Sequence, residues 1–281
     1  MKEISLLEML KSGVHFGHQT AKWHPKMKPY IFTARNGVHI INLEITAAKL
    51  EEALEFVKKT AQNGGLVLFL GTKRQAKDII AKYAKECGMP FITEKWLGGT
   101  FTNYVNVSKL VARLKDLRNK FGSGEIKKYS KKERSVYQRE MDKLEKLVGG
   151  MENMNKLPEA MFVIDIKEEN TAVREAIKKG IPVVAMVDTN VDPGKVTYPI
   201  PGNDDATKSI ELFSGLIAEA VKEGQSEKMI KPEPKKEADD KPEAKPKTKE
   251  DEVKVKEDVK KNIENIEEQE KEVAASQALK S

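Results

Sequence analysis

The chain has 281 residues, 50 lysines and arginines against 44 aspartates and glutamates, and a net charge of +6. Its clean apolar runs, such as residues 66–70, are much shorter than the ~20 residues of a bilayer-spanning helix, which argues against a membrane protein. No basic stretch precedes an apolar core at the start, so we expect no signal peptide. The single cysteine, Cys87, excludes an internal disulfide and fits a reducing, cytoplasmic setting; we expect it to be a packing thiol.

The first helix is short. Ser5 and Glu8 form a capping-box pattern at its start, and Gly13 ends it. Residues 16–30 then interleave cations, aromatic rings and prolines, a composition that cannot form a helix. This segment suits an RNA surface, with lysines on phosphates and aromatic faces free to stack. The alternative is that its aromatic rings pack into the local core.

The four histidines all lie within the first 39 residues. His15 and His18 have the spacing of half a metal site, and loops after later strands offer carboxylate ligands: Asp188, Asp192, Asp204 and Asp205. No second cluster of Cys or His completes such a site. The alternative is that these histidines pack or form hydrogen bonds in an N-terminal loop.

Strand and helix patterns alternate along the body. The predicted strands are residues 38–43, 66–70, 89–93, 160–164 and 182–187. The predicted helices are residues 46–62, a helix that opens with a capping box at residues 72–75, residues 171–179 and residues 206–223. This alternation predicts βαβ units, that is, an α/β fold with a parallel sheet and helices on both faces.

The clearest candidate for an anion site follows the strand at 66–70. Gly71, Thr72, Lys73 and Arg74 place a glycine and two cations at a helix start, where free N–H groups and the helix dipole favour phosphate. Neither GxxxxGK[ST] nor GxGxxG occurs, which argues against a nucleotide cofactor. Asp165 and Asp188 end two strands but have no nucleophile motif beside them, so an enzyme is supported by fold position alone.

A second stretch of cations, aromatic residues and glycines spans residues 95–104. Lys95 could contact phosphate here, and the glycines permit a close approach of the backbone. Trp96 fits an RNA contact and a core position equally well.

Residues 105–148 contain no strand pattern. Apolar residues at 107, 110, 114, 117 and 121, and again at 137, 141, 144 and 148, predict an antiparallel helical hairpin with a coiled-coil seam, inserted into the body. Residues 109–146 carry 13 − 6 = +7, whereas residues 147–225 carry 8 − 13 = −5. We expect most of the hairpin's cations to face outward to an anionic partner, although they could also serve solubility alone.

The last segment, residues 226–281, has no aromatic residue and carries 14 − 16 = −2. It is rich in lysine, glutamate and proline, and we predict a disordered tail. Val259, Ile263 and Ile266 have helical spacing, which allows a transient or partner-induced helix.

Five segments, in order along the chain, resemble the bacterial small-subunit ribosomal protein S-two family. They are residues 13–18 (GVHFGH), 71–76 (GTKRQA), 96–103 (WLGGTFTN), 158–165 (PEAMFVID) and 200–206 (IPGNDDA). The resemblance spans residues 1 to about 224, with Glu159 and the Thr100-Phe101 pair as small departures. It implies a flavodoxin-like sheet with a protruding hairpin, and a structural role on small-subunit rRNA that helps to anchor the large mRNA-binding ribosomal protein S-one.

Our first hypothesis is therefore a non-enzymatic, rRNA-binding protein of the ribosome, with neither a cofactor nor a metal assigned. Its body comprises residues 1–104 and 149–225, and its hairpin residues 105–148. The expected rRNA contacts are Lys22, Trp23, Lys26, Lys28, Lys73, Arg74 and Lys95 in body loops, and Lys109, Arg113, Lys115, Arg118, Lys131, Lys132, Arg134 and Arg139 in the hairpin. The alternatives are a nucleotide-using α/β enzyme and a metal-stabilised adaptor.

Overall fold

A short helix and a small antiparallel sheet precede the α/β body. The computed structural model describes residues 5–230. Helix α1 (Leu6–Lys11) begins after Ser5, whose hydroxyl accepts a hydrogen bond from the Glu8 N–H, as the capping pattern predicted. The sheet has the order β1-β3-β2, with β1 (Phe16–Gln19), β2 (Ile31–Arg35) and β3 (Val38–Ile41).

This sheet corrects the prediction for residues 16–30. Strand β1 and two 3-10 helices, Thr20–Lys22 and Pro25–Tyr30, occupy the segment that we expected to be a non-helical loop. Met27 is fully buried and fixes the second 3-10 helix to the core. Strand β3 pairs antiparallel with β2 and therefore belongs to the small sheet, not to the parallel sheet. The two strands are joined by an Asn36-Gly37 turn, in which both residues have positive φ.

The body is built on a parallel sheet with the order β5-β4-β6-β7-β8. Its strands are β4 (Val67–Leu70), β5 (Phe91–Ile92), β6 (Ala160–Ile164), β7 (Val183–Val187) and β8 (Tyr198–Pro201). This is the flavodoxin-like order. The direction in which successive strands are added reverses between β4, the first of these strands along the chain, and its neighbour β6. The predicted α/β fold class is confirmed.

Helices cover both faces of the parallel sheet. They are α2 (Leu43–Gln62), α3 (Lys77–Glu86), α4 (Tyr104–Gly122), α5 (Lys131–Val148), α6 (Asn170–Lys179) and α7 (Thr207–Ile230). Phe69 and Phe162 point to the core shared with α2, α3 and α7, whereas Leu70 and Val163 point to the core shared with α4, α5 and α6. Since the strands are buried on both faces, they form continuous apolar runs.

Helices α4 and α5 form the hairpin, and its base belongs to the core of the body. Leu110 and Leu114 of α4 pack with Leu144 and Val148 of α5 in the same cluster as the sheet residue Val163. Ser130 and Glu133 form a complete capping box at the start of α5. No helix of the described residues is both long enough and apolar enough to span a bilayer.

Two predicted helix boundaries were wrong. Helix α3 begins at Lys77, and the predicted capping box at residues 72–75 does not form, since the Thr72 N–H donates to Glu169 instead. Helix α7 continues past Glu223 to Ile230, because Lys58 of α2 pairs with Glu223 and Glu227. The predicted tail therefore overlaps α7 in residues 226–230, and the rest of it lies outside the described residues.

Strand β8 was not predicted, because Pro199 and Pro201 lack the N–H groups of a regular strand and are tolerated at a sheet edge. Cys87 ends α3 as a packing thiol that is 4% exposed, and burial raises the pKa of this thiol to about 11.

Gly150 sets how closely the hairpin approaches β5. A Cβ atom at Gly150 would lie 2.2 Å from the carbonyl oxygen of Phe91, which no real contact permits. We expect Gly150→Ala to lower the free energy of unfolding by about 1–3 kcal/mol, as overpacking usually does. Urea denaturation measures this, with Gly122→Ala as the matched control, since open space surrounds Gly122. Equal stability of the two variants would contradict the close approach.

Candidate nucleic-acid interface

Lys73 lies after β4, at the point where the strand order reverses. Its ammonium nitrogen is 3.1 Å from Asp165 Oδ2, 2.8 Å from Asp204 Oδ1 and 2.6 Å from Asp205 Oδ1. Burial favours the neutral amine, but the three carboxylates outweigh it and raise the pKa of Lys73. The expected phosphate contact of Lys73 is untested, and this pairing weighs against it.

A carboxylate also accepts a hydrogen bond from the backbone that was expected to bind a phosphate. Glu169 is buried, and its Oε1 accepts the Thr72 N–H at 2.9 Å. Burial raises the pKa of Glu169. Asp204 is 1% exposed, and its burial, together with the charges of Asp165 and Asp188, raises its pKa to about 7. The crevice where this fold commonly binds phosphate thus already holds acidic groups, which removes the anion site of the nucleotide-enzyme hypothesis.

His18 joins the small sheet to the end of β7. Its Nδ1 lies 2.9 Å from Asp188 Oδ2, and its Nε2 lies 3.7 Å from Asp205 Oδ2. The hydrogen bond to Asp188 is the main reason why the pKa of His18 is raised. One ligand atom from each residue lies within 4.8 Å of the others, and an imidazole with two carboxylates is a donor set that zinc accepts.

The other candidate metal ligands lie elsewhere. His15 does not belong to the group around His18, and burial lowers the pKa of His15. Asp192 pairs with Lys26, and Asp204 pairs with Lys73. The structure therefore groups His18 with Asp188 and Asp205, and not with His15.

The body loops present some of the expected RNA contacts to solvent. Lys22, Lys28 and Arg74 are exposed. Trp23 is 37% exposed, and its ring lies 5.3 Å from that of His39. Lys26 is also exposed, but its ammonium nitrogen lies 2.7 Å from Asp192 Oδ2.

Trp96 is a core residue, so the structure favours the core position over the RNA contact for this side chain. It is 8% exposed, and its Nε1 donates to Glu175 Oε1 at 3.1 Å. Lys95, beside it, is half-buried. The Glu175 carboxylate also accepts the backbone N–H groups of Gly99, Phe101 and Thr102 and the Thr102 hydroxyl. Burial alone would raise the pKa of Glu175, but these hydrogen bonds outweigh it and hold the pKa below its ordinary value.

The sequence reasoning missed Glu175. A glutamate beside the buried Ala172, Val173 and Ala176 of α6 was the available signal, because a buried carboxylate needs several donors. The Gly98-Gly99 turn supplies such donors, since backbone N–H groups without a regular partner lie there.

Part of the hairpin's positive charge is neutralised within the hairpin. Arg113 donates to both oxygens of Glu140, at 2.8 and 2.9 Å. Arg118 pairs with Glu145 and Glu152. These ion pairs weigh against the phosphate contacts that the sequence predicts for Arg113 and Arg118.

The remaining hairpin candidates differ in exposure. Lys109 is half-buried, and Lys115 is exposed and donates to the Glu152 carbonyl oxygen at 2.9 Å. Arg139 is exposed and donates to the Ser135 hydroxyl at 3.3 Å. Lys131, Lys132 and Arg134 are exposed and make no ion pair with another described residue.

Comparison with known proteins supplies the family. A sequence profile of ribosomal protein S2 matches residues 9–224. The chain belongs to the ribosomal protein S2 family. It is 52% identical over 229 residues to the small ribosomal subunit protein uS2 of Bifidobacterium longum subsp. infantis, an alignment that covers 80% of each chain. Relatives of the same name from two further strains of Bifidobacterium longum match equally well.

Membership of the S2 family makes the chain a structural, non-enzymatic constituent of the small ribosomal subunit. Several of the S2-like segments hold the small sheet and the loops together. A Cβ atom on Gly17 would lie 2.6 Å from Thr189 Cγ2, so a glycine lets the His18 N–H reach Thr189 Oγ1 at 2.9 Å. Asn203 donates to the Gly13 carbonyl oxygen and accepts the N–H of Asp205.

Substitution of Glu175 tests how much its buried carboxylate stabilises the fold. Glu175→Ala leaves buried N–H groups without an acceptor, so we expect a loss of about 2–4 kcal/mol of unfolding free energy, since each orphaned group costs roughly 1–3 kcal/mol. Because the folded-state pKa is lowered, the stabilisation by Glu175 is complete above the unfolded-state pKa and is lost as the pH falls through the folded value.

Urea unfolding of Glu175→Ala at neutral pH measures the first effect. Urea unfolding of wild type, Glu175→Gln and the control Glu168→Gln, at neutral and acidic pH, measures the second. Glu168 is exposed, so its variant should follow wild type at each pH. We expect the stability of Glu175→Gln to depend less on pH than that of wild type. Identical pH profiles of all three proteins would contradict the assignment.

Proposed function

We propose that this S2-family chain binds small-subunit rRNA through exposed cations of its body loops and its helical hairpin. The observation that carries the proposal is a set of exposed basic side chains that make no ion pair with another described residue: Lys22, Lys28, Arg74, Lys131, Lys132 and Arg134. Cations that are not neutralised within the protein remain available to phosphates, whose neutralisation provides much of the affinity for nucleic acid.

The carboxylate-paired cations have a structural role in this proposal. Lys73 joins the loops after β4, β6 and β8, and Arg113 joins the two helices of the hairpin. Removing such a cation would leave buried or half-buried carboxylates unpaired, so its effect on RNA binding would be indirect.

Sedimentation tests the proposal. We expect tagged full-length chain, expressed in cells, to sediment with small subunits, and purified chain to bind small-subunit rRNA with an affinity that falls as salt rises. The proposal would be overturned if the chain did not sediment with small subunits and if the purified chain showed no salt-dependent affinity for the rRNA.

We further propose that two exposed aromatic side chains of the small sheet help to anchor ribosomal protein S-one. Phe16 on β1 is 50% exposed, and Phe32 on β2 is 73% exposed. These strands flank β3. Aromatic side chains carry much of the binding energy of many protein interfaces.

The double variant Phe16→Ser/Phe32→Ser tests these two side chains. We expect it to enter small subunits normally but to retain at least tenfold less S-one after a salt wash, because lost aromatic contacts of ~1.4 kcal/mol already change affinity tenfold. The matched control is Ile177→Ser on α6, where the side chain is 57% exposed. Equal retention of S-one by the two variants would contradict the assignment.

A metal-stabilised adaptor is the second candidate, supported by the grouping of His18, Asp188 and Asp205. Elemental analysis of chain purified without chelators tests it, with Asp188→Asn as the comparison. Zinc bound to wild type and lost from the variant would support this candidate. Absence of zinc from both would dispose of it.

A further inference from the structure

The cations of the hairpin fall into two groups. We call residues 125–134 the tip and the rest of α4 and α5 the shaft. In the shaft, Arg113, Arg118 and Lys120 pair with carboxylates of the hairpin or of Glu152 at its base. Three further shaft cations, Lys115, Arg139 and Lys146, are exposed and make no ion pair with a described residue. The tip carries 5 − 2 = +3, and all its cations are exposed: Lys127, Lys128, Lys131, Lys132 and Arg134.

The acidic residues of the tip do not neutralise these cations. The Glu133 carboxylate is occupied by the capping box, in which it accepts the Ser130 N–H at 2.9 Å and the Ser130 hydroxyl at 2.8 Å. Glu125 is exposed and forms no ion pair with a described residue. The tip therefore presents its full positive charge to solvent.

Local packing fixes the shape of the tip. Ile126 is 7% exposed, and the rings of Tyr129 and Tyr137 meet edge to face with centroids 5.2 Å apart. Gly124 provides the positive φ with which the chain leaves α4. Since the backbone that carries the lysines is held in place, little backbone freedom remains to be lost on binding.

The side-chain chemistry favours phosphate over bases. Lysine ammonium groups bind phosphate as point charges. The aromatic ring of the tip, Tyr129, is half-buried and already packs against Tyr137. Contacts to phosphate position a protein on a nucleic acid and carry no sequence information.

We propose that the tip grips the phosphate backbone of RNA irrespective of base sequence, and that the shaft is a spacer held together by its own ion pairs. This inference rests on the proposed function, because it takes rRNA as the partner. It assigns the contact to ten residues and adds Lys127 and Lys128 to the interface.

The quadruple variant K127Q/K128Q/K131Q/K132Q tests the tip. Each lost phosphate contact lowers the log–log salt slope of binding by ~0.7–0.9, so we expect a decrease of about 3 for purified full-length chain on small-subunit rRNA. The control K167Q/R174Q/K178Q/K179Q removes the same charge from exposed positions on and before α6, and should keep the wild-type slope. The variant K127R/K128R/K131R/K132R keeps the charge and should keep the slope.

The outcomes separate this inference from the proposed function. Wild-type chain that neither binds the rRNA nor sediments with small subunits would defeat the proposed function. Wild-type binding with an unchanged slope in the glutamine tip variant, or an equal decrease in the α6 control, would overturn the tip assignment alone. Circular dichroism verifies that the variants are folded, and the arginine variant separates loss of charge from loss of structure.

Discussion

The ion pairs of the Lys73 ammonium group are the interactions on which the loops at the carboxyl ends of the parallel strands depend. It links the turn after β4 to Asp165 after β6 and to Asp204 and Asp205 after β8. In a flavodoxin-like sheet, the carboxyl ends of these strands usually form an open crevice for a ligand. Here one half-buried cation and several carboxylates occupy this crevice, so these strand ends are joined to each other by ion pairs.

Pairing of charges divides the cations into two classes that the sequence does not distinguish. Arg113 and Lys131 belong to the same basic hairpin, yet the first is half-buried against Glu140 and the second is exposed without an ion pair among the described residues. The net charge of the hairpin counts both kinds of cation equally. Its affinity for RNA depends only on the cations that are not paired with a carboxylate. The paired cations stabilise the protein, and the unpaired ones remain available to a polyanion.

Regular patterns predicted most of the fold, since apolar runs and helical spacing identify β4, β6, β7 and the hairpin directly. The small sheet was missed because β1 and β2 are short and exposed, with prolines and lysines between them. Likewise, long-range contacts set the boundaries of α3 and α7: Thr72 with Glu169, and Lys58 with Glu227. Such pairs join residues far apart in sequence, and local pattern carries no information about them.

The candidate interface was predictable in its composition but not in its detail. The density of lysines and arginines pointed to the hairpin, and the five family-like segments pointed to the ribosome. Which cations are neutralised depends on side-chain geometry between two helices, as the pairing of Arg118 with Glu145 and Glu152 illustrates. Glu175 was missed for the same reason, because its donors lie in a glycine turn more than 70 residues earlier in the chain.

The burial of Cys87 makes the molecule nearly inert to thiol chemistry. Because burial raises the pKa of this thiol to about 11, little thiolate is present at neutral pH, and the thiolate is the form that reacts with oxidants and alkylating reagents. Copies of the chain therefore resist cross-linking through intermolecular disulfides. A cysteine engineered at an exposed position would react with a maleimide label far faster than the native one, which opens site-specific labelling without removal of Cys87.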